Sequence, residues 1–280
     1  MQCVTTTSEF GSEYVLVERP RPHVALITLN RPERMNSMAF DVMVPLREVL
    51  SDIGYDNSVR VVVLTGAGRG FSSGADHKSA GSVPHVAGLT RPAFGLRSME
   101  LLDDIILSLR RLHQPVIAAV NGAAIGGGLC LALAADIRVA ASGAYFRAAG
   151  INNGLTASEL GLSYLLPRAI GASRAFEIML TGRDVDAAEA ERIGLVSRVV
   201  EQPELLEACY ELAERIAGFS RPGTELTKRT LWSGLDAGSL EGHMQAEGLG
   251  QLYVRLLTSN FEEAVAARAE KRPPVFTDDK

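Results

Sequence analysis

Cysteine is scarce in this chain, and what there is lies far apart. Cys3, Cys130 and Cys209 form no CxxC or Cys/His spacing, which argues against a disulfide framework or structural zinc and fits a reducing cytoplasm. Positive charge is not in excess either. Against 33 Asp and Glu stand 28 Lys and Arg, for a net charge of −5, so the electrostatic footprint of a nucleic-acid partner is missing. Met1–Glu13 is polar, with neither a basic nor an apolar stretch, and no secretory signal is expected. No Gly-Lys-Ser/Thr follows Gly122–Gly128, and no GxSxG setting surrounds Ser72, Ser73 or Ser158. A phosphate-binding P-loop and a serine nucleophile are therefore not expected. His23, His77, His85, His113 and His243 show no ligand spacing and read as structural or surface residues.

One long apolar run exists, Val116–Ala135, interrupted only by Asn121. Its length would span a bilayer, but four glycines in its middle and a strand-like first half make it strand, turn and buried helix instead. No membrane partner is expected. With 280 residues, 46% hydrophobic and 22% charged, the chain has the composition of a globular protein with one large domain and a smaller appendage.

The pattern along the chain is strand alternating with helix. Tyr14–Glu18 and His23–Asn30 read as strands with a turn at the prolines of Arg19–Pro22, and Ser37–Gly54 as a helix that Pro45 kinks or delays. Arg60–Thr65 is a buried strand and Thr65–Asp76 a glycine-rich loop. Lys78–Arg97 lacks periodicity and reads as a mobile flap. Ser98–His113 is an amphipathic helix with Ser98 at its N-cap, stopped by Pro115. Ile137–Ala141 and Val196–Val200 are further strands. Asp186-Ala-Ala-Glu189 opens a helix that Gly194 ends. Such alternation predicts parallel α/β architecture. Beyond Gln202-Pro203 only helices follow, to about Glu270, which places a boundary near residue 201 and predicts an oligomer.

Three clusters carry candidate chemistry. In Asn121–Cys130 a strand ends at a glycine turn and three glycines open a helix of about Gly127–Ala135. Helix N-termini expose unpaired N–H groups and a positive dipole end, and glycines let a ligand approach, so a developing negative oxygen fits here. Gly74-Ala-Asp-His-Lys78 also follows a strand and can aim a backbone N–H into a cavity, with Lys78 at the rim; a solvated loop is the plainer reading. Gly66-Ala-Gly-Arg-Gly70 is GxGxG rather than GxGxxG, which disfavours a dinucleotide site. Glu159 sits at an expected helix start amid apolar residues; it is either an ordinary first-turn carboxylate or a functional one facing Gly127.

Taken in order, several segments resemble the crotonase (enoyl-CoA hydratase/isomerase) superfamily. They are Leu29–Asn36, Val61–Gly66 with Phe71–Lys78, Pro115–Asp136, Leu165–Arg168 with Gly171, Leu180–Gly182, Gly194–Ser197 and Glu270–Pro274. The resemblance implies a spiral of ββα units over residues 1–200 and a C-terminal all-helical trimerisation region over 201–280, in homotrimers or dimers of trimers. It also implies acyl-CoA substrates of fatty-acid metabolism, with coenzyme A as part of the substrate, no separate cofactor and no metal. The enolate oxygen falls to the amides of Ala75 and Gly127, and the coenzyme A contacts to Arg31, Arg34, Ser73, Ala75 and Lys78. Two departures bear on the reaction. The positions of the paired hydratase glutamates are Cys130 and Gly150, neither of which can act as a general base. Glu159 instead aligns, with a one-residue insertion, with the carboxylate of isomerase-like branches. A single-carboxylate isomerase is expected; the alternative is a catalytically silent acyl-CoA-binding protein on the same fold.

Overall fold

The computed structural model describes residues 11–278, so Cys3 and most of the polar start lie outside the described residues. β1 (Val15–Arg21) and β2 (Val24–Leu29) form an antiparallel hairpin. Two sheets grow from there. β3 (Val61–Gly66), β5 (Val116–Val120), β7 (Ile137–Ala141) and β10 (Arg198–Val200) extend the hairpin in parallel into a six-stranded sheet, order β1-β2-β3-β5-β7-β10. Between them the chain steps aside into a second sheet of β4 (Gly70–Ser72), β6 (Ala123–Ile125), β8 (Tyr145–Arg147) and the antiparallel β9 (Asp184–Asp186). Each turn of chain thus gives one strand to each sheet, the ββα spiral that the resemblance implies.

Sequence explains the layering. β3 is Val-Val-Val-Leu-Thr-Gly and buried throughout, as a central parallel strand must be. Its residues alternate between two clusters: Val62 and Leu64 join the main core, while Val61 and Val63 face a second one. The helices are α1 (Phe40–Tyr55), α2 (Arg91–Arg111), α3 (Gly127–Ala134), α4 (Leu162–Ile170), α5 (Ala172–Thr181) and α6 (Ala187–Arg192). α7 (Leu205–Ala217), α8 (Arg221–Gly234), α9 (Leu240–Leu257) and α10 (Asn260–Ala269) complete the chain. α7 covers the second face of the large sheet with Leu205, Cys209, Tyr210 and Ala213. α8 docks through a buried lysine: Lys228 Nζ lies 2.9 Å from Asp136 Oδ2 and donates to Gln114 O at 2.9 Å. On the same carboxylate, Trp232 Nε1 donates to Oδ1 at 2.6 Å and Val116 N to Oδ2 at 2.7 Å. α9 has no buried residue and exposes Leu240, Leu249, Leu252 and Leu256. No helix among the described residues is long and apolar enough to cross a membrane.

Several local expectations shift. The first turn moves from the prolines to Pro22-His23, where His23 has φ 63°. Pro20 remains in β1 because that strand is the sheet edge and its register is already irregular between Glu18 and Arg21. α1 starts at Phe40 rather than Ser37, since Met38 is taken up by a bridge to Ala75. The glycine-rich loop contains a strand, β4. α2 begins at Arg91, not Ser98. Pro92 suits a first turn, and Ser98 Oγ donates back to Phe94 O at 2.8 Å from inside the helix. The last parallel strand is shortened to β10.

Candidate active site

The parallel pairing of two three-residue strands creates the site. β4 and β6 align Gly70 with Ala123 and Ser72 with Ala124. The chain leaving β4 at Gly74-Ala75 therefore runs beside the chain leaving β6 at Gly126-Gly127. Their approach is backbone to backbone: a Cβ on Gly74 would lie 2.5 Å from Ile125 O and 3.2 Å from Gly127 N. Gly74 (φ 77°) and Gly126 (φ 53°) also need the left-handed region. Two buried amides hold the loop beneath. Asn36 Nδ2 donates to Ala67 O and Gly70 O, at 2.9 and 2.8 Å, and Asn121 Nδ2 donates to Gly68 O at 2.9 Å.

Two amides are left over. Gly127 heads α3 and has no intrahelical acceptor. Among the described residues neither its N–H nor that of Ala75 donates to a protein acceptor. Ala75 is fixed on both sides, because Met38 N donates to Gly74 O at 2.7 Å and Asp76 N to Met38 O at 3.4 Å. Ala75 is exposed and Gly127 buried, so the pair opens to the surface. Met38 and Leu160 crowd the Gly127 Cα as an apolar wall. Preorganised donors with dry neighbours suit an oxygen that gains charge. Two sizeable cavities lie elsewhere, one of about 710 Å³ beneath α8 and one of about 500 Å³ beside Tyr14 and Phe40.

Glu159 reaches the same turn. It is not in the first turn of a helix, as the sequence predicts; Leu160 (φ 45°) and Gly161 (φ 79°) bend the chain before α4. Its Oε1 lies 3.1 Å from where a Gly126 Cβ would be. The side chain is half-buried, and burial raises its pKa above the usual carboxylate range, with His77 partly opposing the rise. Cys130 packs behind, its thiol donating to Gly126 O at 3.3 Å. Burial, with Glu159 nearby, pushes that thiol well up, so it stays protonated and inert.

The predicted coenzyme A contacts gather around a residue that sequence reasoning missed. Asp76, with a side chain 3% exposed, accepts from Arg31 Nη1 at 3.0 Å and Arg34 Nη2 at 2.9 Å. Ser37 Oγ and the amides of Lys78 and Ser79 also donate to it, at 3.0, 2.9 and 2.8 Å. Burial works against its charge, but the Ser79 and Lys78 amides, Ser37 and Arg34 outweigh it and hold the pKa well below the carboxylate range. Arg31 also faces the Tyr14 ring at 5.7 Å. Ser73 Oγ donates to Arg34 O at 3.3 Å, and Lys78 is exposed. An acid directly after Gly-Ala and two residues before a lysine was the available signal.

A family model described as enoyl-CoA hydratase/isomerase matches residues 20–279. The chain belongs to the enoyl-CoA hydratase/isomerase family. Among its relatives is a Mycobacterium tuberculosis protein named probable enoyl-CoA hydratase, 84% identical over 95% of this chain and 93% of its own length. A solved structure of a probable enoyl-CoA hydratase/isomerase from Mycobacterium abscessus is 73% identical, with a TM-score of 0.92 over 95% of this chain and 100% of that one. A structure titled a monofunctional enoyl CoA isomerase from M. smegmatis is 72% identical, with a TM-score of 0.72 over 84% of this chain and 99% of that one.

Against that family background, the two positions where the resemblance puts the hydratase glutamates have structural occupants. Cys130 is wholly buried within α3. At position 150 a Cβ would collide with Thr156 O, so the local packing demands glycine. Neither place carries a carboxylate.

Proposed function

We propose that this enzyme moves the double bond of an enoyl-CoA thioester from the β,γ to the α,β position, with Glu159 as its one proton carrier. Glu159 takes a proton from the α-carbon, and the C–H electrons flow into the thioester carbonyl to give a dienolate. The amides of Ala75 and Gly127 hold that oxygen while Glu159 returns the proton at the γ-carbon. Coenzyme A enters as part of the substrate, with Arg31, Arg34, Ser73, Ala75 and Lys78 along its path, and no further cofactor is needed. The observation that carries this reading is the Glu159 carboxylate against Gly126, beside two unpartnered amides, with no second carboxylate at positions 130 and 150. A base raised toward neutrality by burial suits reversible proton transfer. The isomerase title of the M. smegmatis relative agrees with it.

Glu159→Gln tests the assignment. Turnover of β,γ-enoyl-CoA thioesters, followed by proton NMR in heavy water, is expected to fall by roughly 10²–10⁴-fold. The unaltered enzyme is expected to place deuterium at the α and γ carbons. Unchanged turnover in the variant removes Glu159 from the mechanism, and a 3-hydroxyacyl product makes the enzyme a hydratase. Acyl-CoA binding with silence across the panel makes it a binding protein. We further read the enzyme as a cytoplasmic homotrimer of acyl-CoA metabolism. The unburied apolar residues of α9 and the reduced, buried thiols of Cys130 and Cys209 support that reading.

A further inference from the structure

The reading above leaves Cys130 without a task, yet its side chain touches both halves of the site. Glu159 and Leu160 lie along the Gly126-Gly127 turn. Glu159 Oε1 is 3.1 Å from where a Gly126 Cβ would be, and Leu160 Cδ1 is 3.3 Å from a Gly127 Cβ. Leu160 holds φ 45°, a left-handed backbone that a leucine adopts only when its surroundings impose it. This bend therefore has to be held. Burial of the Leu160 side chain does part of the holding, and the other part is polar. The Cys130 thiol, wholly buried in the first turn of α3, donates to Gly126 O at 3.3 Å and to Glu159 O at 3.5 Å. Among the described residues the second contact is the one hydrogen bond that joins the 158–161 stretch to α3. The other bonds of that stretch stay within its own segment, Leu162 N to Glu159 O at 2.7 Å among them.

We propose that Cys130 is a positioning residue for Glu159. Its thiol ties the Glu159 carbonyl to the turn that carries the Gly127 amide, so that carboxylate and oxyanion donor keep their places relative to each other. The proposal rests on Glu159 being the proton carrier. The thiol is not a nucleophile here: burial keeps it protonated, and a protonated thiol always has its hydrogen to donate. One S–H proton divided between two carbonyls is a weak tie. Its loss is expected to loosen the bend without unfolding the protein.

The test compares Cys130→Val, which keeps the bulk and loses the donor, with Cys130→Ser, which keeps a donor. Cys130→Ala repeats the comparison should valine crowd α3. The first readout is amide hydrogen exchange at Leu162, whose N–H shares the Glu159 carbonyl with the thiol, so it reports the tie without reference to activity. Exchange there is expected to quicken roughly 3–10-fold in the valine and alanine variants and to return toward the parent rate in the serine variant. The second readout is steady-state kinetics on a β,γ-enoyl-CoA. There kcat is expected to fall by roughly 3–10-fold with KM unchanged, and serine is expected to restore it. A side chain that only fills space leaves serine no better than valine or alanine. That result overturns the proposal, and so does an unmoved kcat in the donorless variants. Serine-rescued exchange at Leu162 together with full activity in Glu159→Gln keeps the tie and overturns the proposed function instead.

Discussion

The Asp76 carboxylate accepts from two arginines, one hydroxyl and two backbone amides, nearly all out of solvent. Its folded-state pKa is depressed, so its contribution to stability is present above the unfolded carboxylate range, about pH 4, and drains away as pH falls through the lower folded value. Asp76→Asn keeps the shape and loses the charge. It is expected to cost about 2 kcal/mol, measured by denaturant unfolding at neutral pH, and the difference from the parent is expected to shrink in strong acid. Glu159 behaves in the opposite sense. A carboxylate whose folded pKa is raised favours folding below its unfolded range, and that benefit is lost as pH rises through the folded value. Glu159→Gln is therefore expected to melt at the same or a higher temperature at neutral pH while losing turnover, which calorimetry beside the activity assay checks. The glycine turns before Ala75 and Gly127 were legible in the sequence from glycine spacing, and Glu159 was singled out beside them through the family pattern. Asp76 was not, since its meaning lies in partners about 40 residues away along the chain.

Among the elements, the three-residue strands β4 and β6 matter out of proportion to their length. Their register decides that the two free amides are neighbours, and the fit is closed by glycines with no room for a methyl. At Gly128 an added Cβ would strike Ser72 O, in the last residue of β4. Gly128→Ala is accordingly expected to push α3 away from β4, destabilising the fold by about 1–3 kcal/mol. A shift of the amides should also lower kcat more than it raises KM, which steady-state kinetics on the folded variant reads. Such short strands leave little trace in sequence: Gly-Phe-Ser and Ala-Ala-Ile have no period to count. The long buried strands, with their Val and Ala runs, were plain. α2 failed in the reverse way. Its first half carries Phe94, Leu96 and Met99 exposed, so no buried stripe announces it, and only Leu101, Ile105, Ile106 and Leu109 give the helical rhythm.

On the scale of the whole molecule, parallel α/β order followed from strand–helix alternation and the helical end from its cessation after residue 200, while the spiral came with the family resemblance. What the helical end does for the assembly is a separate matter. A single chain leaves Leu240, Leu249, Leu252 and Leu256 of α9 exposed, and clustered exposed apolar residues mark interaction surfaces. Light scattering is expected to give the mass of three chains or a multiple of it, and Leu252→Arg on α9 to reduce that mass. Persistence of a monomer in the unaltered protein counts against the trimer. Asp136 adds a constraint on any attempt to shorten the chain. Its carboxylate is held jointly by α8 and by the first amide of β5, the strand that leads to Gly127. Trimming the protein before Lys228 would thus strand a negative charge against an apolar wall at the root of the strand that leads to Gly127. A minimal version of this enzyme has to keep α8 even if it discards everything that follows.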